Sequence, residues 1–322
     1  MSSLVSVLIP TYNRADMISE TLNSALSQTY SNLEVIVCDN ASTDATIAIV
    51  EEFARRDSRV KLFKNETNLG PVLNWKACLD RASGQYVKVL WSDDLMLPDF
   101  LERTLELFRE DNNLAFVFTK VSVSREISDP LRYRYDCFDE TGIYPVAEFV
   151  KGVIQHYHFP YSPGCAIFKI EVLKQSFVMR NDLFKNRYLQ NGAGPDLLMF
   201  LMSTRRAPRF GYVDEPLSFF RQHDDSITIS SDSRQLGLDY AKAIIWYIYR
   251  FSGLDMAMRY WIYVFKKRKL YQKKNRAYLS GFLFQGIDVH YLCPVNAVHF
   301  LQCWVMKSKH YLKSIQLDFT SE

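Results

Sequence analysis

Val5-Ser-Val-Leu-Ile-Pro-Thr-Tyr-Asn-Arg14 is the stretch that decides the fold. Its apolar run, residues 4–9, is broken only by Ser6 and closed by Pro10, the pattern of a strand buried on both faces. A short polar turn follows. Met17, Ile18, Leu22, Ala25 and Leu26 then recur at helical spacing across 16–28.

The alternation continues outward. Residues 33–38 predict a second strand, 39–44 a loop, and Thr43 the cap of a helix over 45–56. A strand is expected at 60–63, then a helix over 70–82 with Pro71 in its first turn and Ser83-Gly84 at its end. Residues 86–90 predict the next strand, 91–94 a loop, 98–109 a helix and 115–119 a strand. Strands and helices joined by short connections predict an α/β three-layer sandwich with a mostly parallel sheet covered on both faces. Ligands of such sheets bind beyond the carboxyl ends of the strands. Thr11 to Arg14 follow the first strand, Asp39 the second, and Asp93 and Asp94 the fourth.

The pattern changes at 125–165, which reads as long loops around a short helix at 146–154. A helix at 196–205 and strands at 209–213 and 217–221 complete a main domain over 1–230. Residues 231–322 read as a helical extension rich in aromatic and basic residues.

Composition sets the outer limits. The 322 residues are 48% hydrophobic and 23% charged, which excludes disordered and fibrous chains. The net charge of +3 hides an asymmetry, since 231–322 carries 14 Lys and Arg against 6 Asp and Glu. A basic tail on an acidic body points to an anionic partner. The six cysteines are scattered, with no CxxC pair, and read as reduced thiols packed in cores of a cytoplasmic protein. The first residues lack the basic flank of a secretory signal, and no window offers the ~20 apolar residues of a spanning helix. Residues 289–306 come nearest and are interrupted by polar side chains, so they are expected to be buried or interfacial.

No GxGxxG, GxxxxGK[ST], HExxH or GxSxG occurs. What remains is a set of carboxylates at strand ends. Asp93 and Asp94 repel each other unless a cation or hydroxyl donors sit between them, and hard divalent cations bridge carboxylates to phosphates. The alternative is a pair of solvated loop aspartates, one of them capping the helix at Pro98.

Four segments in order carry a resemblance. Residues 5–14, the run 34–44, Asn68-Leu-Gly70 and Ser92-Asp-Asp94 are similar to the motifs of family 2 glycosyltransferases, which have the GT-A fold. The resemblance spans about 4–226. It implies inverting transfer of a sugar from a nucleoside-diphosphate sugar, UDP- or dTDP-linked, in bacterial surface polysaccharide or glycolipid assembly. It divides the main domain into a nucleotide-binding half (1–120) and an acceptor half (121–230). It implies that Pro10, Thr11, Tyr12, Arg14 and Asn68 line the nucleotide pocket, and that Asp39 bonds the base. Asp93 would lie near the ribose and Asp94 would hold a divalent metal, Mn or Mg. The family's motif often reads Asp-x-Asp-Asp, and Trp91 stands here at the first Asp.

Gly192-Ala-Gly-Pro-Asp196 resembles the family's Glu-Asp motif at a helix start, with Pro195 in place of Glu, and makes Asp196 the general base. An ordinary helix-start aspartate is the plainer reading. The stretch 214–223 resembles the family's closing strand. It places Arg221 against phosphate charge and His223 near the metal. The acceptor is expected to be a glycan or a lipid-linked sugar. In the tail, 256–287 has eight Lys and Arg among aromatic residues and no Asp or Glu. It reads as a contact with an anionic membrane surface, at the inner face of the cell membrane, or as a hairpin packed on the main domain. No nucleic-acid partner is expected, since no such motif is present. Trp91 and Pro195 keep open a non-catalytic sugar-nucleotide-binding protein on the same fold. A nucleotidyltransferase would need a Gly-rich phosphate loop that is absent here.

Overall fold

A computed structural model describes residues 2–129, 132–155, 158–178, 192–224, 226 and 233–252. The first half alternates as expected: β1 (Val5–Thr11), α1 (Ile18–Leu26), β2 (Leu33–Asp39), α2 (Thr46–Arg56), β3 (Val60–Lys64), α3 (Pro71–Arg81), β4 (Tyr86–Val89), the two-residue β5 (Leu95–Met96) and α4 (Phe100–Glu110). Then come β6 (Leu114–Ser124), β7 (Arg132–Arg134), β8 (Gly142–Pro145), α5 (Val146–Ile154), β9 (Ala166–Lys169), α6 (Ile170–Ser176), α7 (Pro195–Ser203), β10 (Arg209–Arg221) and α8 (Ser233–Ser252). One sheet runs in the order β3-β2-β1-β4-β9-β6-β10-β5, with β7 beside β6 and β8 beside β10.

The pairs β1–β2, β2–β3, β1–β4 and β6–β10 are parallel. Strand β9 lies antiparallel to both β4 and β6 and joins the two parallel blocks. The sequence gives no hint of it, because four residues cannot display a period. For the same reason 125–165, expected as loops around one helix, also holds β7 and β8. The two strands expected at 209–213 and 217–221 are one strand, whose register against β6 shifts around Pro216. Thr43 does not cap α2. Its N–H goes to Asn13 Oδ1, and Asp44 Oδ1 accepts the Thr46 N–H at 2.9 Å.

The buried runs are explained by two cores, one on each face. Leu8, Ile36 and Val87 face Val72, Trp75 and Leu79 of α3, with α5 to α8 beyond them. Val7, Ile9, Val35 and Val37 face α1, α2 and Phe100, Leu101 and Leu105 of α4. Each such side chain contributes about 1.5–3 kcal/mol by burial. Glu34 is buried on β2 and fully paired. Oε1 takes the Ser6 hydroxyl at 2.6 Å and the Ser83 N–H and hydroxyl at 2.9 and 2.8 Å, while Oε2 meets Lys61 Nζ at 2.7 Å.

Cys38, Cys78 and Cys165 are free and buried, and Cys137 is half-buried; Cys293 and Cys303 lie outside the described residues. Among the described residues no helix is long and apolar enough to cross a membrane. The segments 256–287 and 289–306 lie outside them.

Candidate active site

The carboxyl ends of β1 and β2 form the floor. Thr11 and Asp39 are paired in register, and both are buried. Asp39 Oδ1 accepts the Ser42 N–H at 2.8 Å, but Asp39 Oδ2 and the Thr11 hydroxyl have no partner among the described residues. Buried polar atoms are almost always paired, so two orphans side by side mark a place for a ligand's donor and acceptor. The loop above is tied back by Asn13, which adopts a φ of 50°, donates its N–H to Ser42 Oγ at 2.9 Å and accepts from the Thr43 N–H.

Asn68 is exposed at the start of the turn into α3. Its Oδ1 accepts the Gly70 N–H at 2.9 Å and Asn40 Nδ2 at 2.8 Å, so it shapes the turn into α3. Asn40 Oδ1 in turn accepts from Leu69 N–H and Asn65 Nδ2. Asn40, Asn65 and Asn74 form a partly buried amide network that the sequence reading missed; two asparagines just past strand ends and one in the first turns of α3 were its only trace. Tyr12 and Leu69, on the two loops that Asn40 joins, are left exposed.

Five predicted residues converge beyond β4. Asp93 Oδ2 meets His223 Nε2 at 2.9 Å and lies 3.7 Å from Arg14 Nη2. Asp94 is buried, and its Oδ1 accepts the Arg221 N–H at 3.0 Å. Burial, then the neighbouring Asp93, pushes the Asp94 carboxyl well above the usual carboxylate range, eased by the Arg221 N–H and by Lys88. The Arg221 guanidinium pairs with Glu20. Arg14 Nε, Arg221 Nε and His223 Nδ1 are buried without partners among the described residues.

Among the described residues no group of three or more His, Cys, Asp and Glu could hold a metal. The residues present fit a looser arrangement. Magnesium is commonly bound through one or two carboxylates, with substrate phosphates completing its shell. Asp94 is a buried carboxyl with an acidic neighbour, and a cation would relieve its charge. His223 Nε2 is committed to Asp93, which leaves only Nδ1 of that ring.

Trp91 forms wall instead of supplying a carboxylate. Its indole N–H donates to Ser162 Oγ at 2.8 Å, its ring lies 4.9 Å from that of Trp75, and a Cβ on Gly164 would come within 2.8 Å of it. Lys88, missed by the sequence reading because a strand lysine looks exposed, is wholly buried on β4. It donates to the carbonyls of Val89 and Gly164 and lies 4.6 Å from the Phe100 ring centre. Burial pulls its ammonium down to about 7.

Asp196 starts α7. Its Oδ1 accepts the Gly194 and Leu197 N–H groups at 2.8 and 2.7 Å, and its Oδ2 accepts the Tyr240 hydroxyl at 2.8 Å. Burial raises its carboxyl to about 7 against these donors. The Tyr135 ring lies 6.3 Å from that of Phe220, the neighbour of Arg221, and burial first of all raises its phenol, the Asp196 charge adding to it. The Tyr161 ring lies 4.8 Å from Tyr240, beside the Ser162 that holds Trp91.

The chain is similar to proteins of known family. The sequence model described as Glycosyl transferase family 2 matches residues 6–177. The chain is 39% identical over 115 residues to the UDP-Glc:alpha-D-GlcNAc-diphosphoundecaprenol beta-1,3-glucosyltransferase WfgD of Escherichia coli, covering 36% of this chain and 44% of that protein. It is 40% identical over 117 residues to chondroitin synthase of Escherichia coli, covering 36% of this chain and 17% of that one. The matched stretches thus span less than half of these relatives. S. aureus TarS 1-349, solved in complex with UDP-GlcNAc, superposes with a TM-score of 0.56 at 21% identity, covering 77% of this chain and 73% of that one. Mannosyltransferase PcManGT from Pyrobaculum calidifontis, solved with GDP-Man and Mn2+, gives 0.51 at 19% identity, covering 76% and 63%. These two likenesses establish the fold, a mixed and mostly parallel α/β sheet. With more than half of its residues inside the family's span, the chain belongs to glycosyl transferase family 2.

Proposed function

We propose that this protein is an inverting glycosyltransferase that moves a sugar from a nucleoside-diphosphate sugar to a hydroxyl acceptor in bacterial surface polysaccharide or glycolipid assembly. The observation that carries the reading is the convergence of Arg14, Asp93, Asp94, Arg221 and His223 beyond β4, beside the unpartnered Thr11 and Asp39 atoms. Family membership and the names of WfgD and TarS support it.

Asp39 Oδ2 accepts a donor from the nucleotide base, and the Thr11 hydroxyl completes that floor. Asp93 is fixed between Arg14 and His223, facing the ribose. Asp94 would hold a divalent cation, Mn or Mg; PcManGT, solved with Mn2+, supports that choice. When bound, the cation offsets negative charge growing on the departing diphosphate. Asp196 takes the proton of the acceptor hydroxyl as its oxygen bonds to the anomeric carbon and the bond to the diphosphate breaks. One displacement from the opposite face inverts the configuration. A carboxyl raised to about 7 is matched to proton transfer near neutral pH.

A UDP- or dTDP-sugar is the proposed donor, and a glycan or lipid-linked sugar the acceptor. The basic, aromatic segment 256–287 would bring the enzyme to the inner face of the cell membrane, where such acceptors lie. Trp91 in place of a carboxylate favours a second reading, a sugar-nucleotide-binding protein without turnover. Thermal unfolding with UDP, dTDP and their sugars, with and without Mn, tests binding, because ligands of the native state raise the midpoint. Release of UDP from UDP-GlcNAc or UDP-Glc in the presence of Mn separates enzyme from binder. No shift with any of these nucleotides, with or without Mn, overturns both readings.

A further inference from the structure

The aspartate at the start of α7 does not stand on its own loop alone. Two of its three donors come from its own turn, and the third, the Tyr240 hydroxyl, comes from α8, 44 residues further on. The two helices run side by side in the same direction. Gly194 meets Asp239 and Ala243, Asp196 meets Tyr240, the Thr204 hydroxyl meets that of Tyr247 at 3.1 Å, and the Arg205 guanidinium lies 4.8 Å over Phe251. Gly194 permits the close approach. Its φ is 98°, and a Cβ there would come within 3.0 Å of the Asp239 carbonyl oxygen.

A buried carboxyl resists ionisation, and a hydrogen bond donated to its charged form opposes that resistance. Among the described residues the Tyr240 phenol donates to Asp196, and the Tyr135 phenol is pushed up chiefly by burial, with the Asp196 charge adding to the rise. Tyr161 faces Tyr240, and Asp239 on α8 pairs with Lys242 at 3.0 Å.

We propose that Tyr240 is a positioning residue for sugar transfer, its hydroxyl keeping Asp196 Oδ2 ionised and aimed, so that α8 completes the catalytic centre from outside the span that defines the family. The inference rests on the reading of Asp196 as the proton acceptor. Tyr240 touches neither the sugar nor the nucleotide; it acts through the carboxylate.

The test compares the full-length wild type with Tyr240→Phe, Asp196→Asn, the double variant, and Tyr247→Phe as a control that breaks the other α7–α8 hydroxyl contact. Thermal unfolding without substrate, from about pH 5.5 to about pH 8.5, spans the ionisation. The gap between wild type and Tyr240→Phe is expected to widen as pH rises through about 7, where the carboxylate forms. It is expected to stay flat in the Asp196→Asn background, as is the effect of Tyr247→Phe. A gap that ignores pH overturns the inference without reference to any donor. In turnover of UDP-GlcNAc with Mn, Tyr240→Phe should lower kcat about tenfold, leave the donor KM unchanged and move the acid limb of the kcat profile to higher pH. An unchanged kcat and limb alongside an inactive Asp196→Asn sinks the role of Tyr240 alone. Full turnover by Asp196→Asn sinks the proton acceptor instead, and with it the proposed mechanism.

Discussion

Arg221 gives its backbone N–H to Asp94 Oδ1 across 3.0 Å, fastening the far end of β10 to the loop after β4. A main-chain donor cannot swing away as a side chain can, so this carboxyl is held in place before any ligand arrives. The Arg221 side chain is engaged separately by Glu20.

Asp94→Asn keeps an acceptor for that N–H and removes only the charge. Transfer is expected to fall at least 10²-fold, about 2.7 kcal/mol of barrier. Initial rates with saturating Mn measure it, and a rate within about threefold of wild type would remove Asp94 from its assigned role.

Lys88 makes stability rise with pH. Its folded ammonium is drawn down to about 7, below the value of an unfolded lysine near 10.4. Between those values the unfolded chain binds the extra proton, so the folded state gains as pH rises. Urea unfolding at about pH 7 and about pH 9 should show this gain in wild type and not in Lys88→Met. The same substitution would also leave the Val89 and Gly164 carbonyls short of a donor, lowering stability at both values.

Asp196 works in the opposite sense. Its folded carboxyl is raised to about 7, above the unfolded value near 3.9, so stability is fully present below about pH 4 and is lost as pH climbs through 7. Asp196→Asn is expected to flatten that decline and to be the more stable protein at about pH 8. A parallel decline in both proteins, measured by thermal unfolding, would show that another group is responsible.

Glu34 supplies the acid-side counterpart. Burial opposes its charge, but Lys61, Ser6 and Ser83 together bring it down to about 2. Its contribution is present above the unfolded value near 4.3 and disappears as pH falls through 2. Glu34→Gln should be clearly less stable than wild type near neutral pH, with the difference shrinking steadily below about pH 4. Urea midpoints at the two ends of that range check it.

What the sequence displays depends on how far apart the partners lie. Residues 4–9 and 33–38 declare their strands because both sheet faces are buried there, which turns each strand into one apolar run. Adjacent Asp93 and Asp94 are legible as a repelling pair needing relief. Strands β7, β8 and β9 hold only three or four residues each, too few to show alternation. Trp91 and Tyr240 are illegible for another reason. Their partners Ser162 and Asp196 are 71 and 44 positions away, and only the folded chain brings them together. Lys88 misleads outright, since nothing local says that its ammonium will be enclosed.

One strand sets the spacing of the whole cleft. At its start Arg209 is pinned to Asp111, and at its end Arg221 reaches Asp94 and Glu20. Between them the register slips three times, once just after Arg209 and once on either side of Pro216. Strand side chains alternate, so losing a single residue from that irregular middle would turn every later side chain to the opposite side of the sheet. The kinked centre of β10 is therefore a vernier: its offset sets which way Arg221 and His223 point, and a deletion far from the cleft would disarm it by half a pleat.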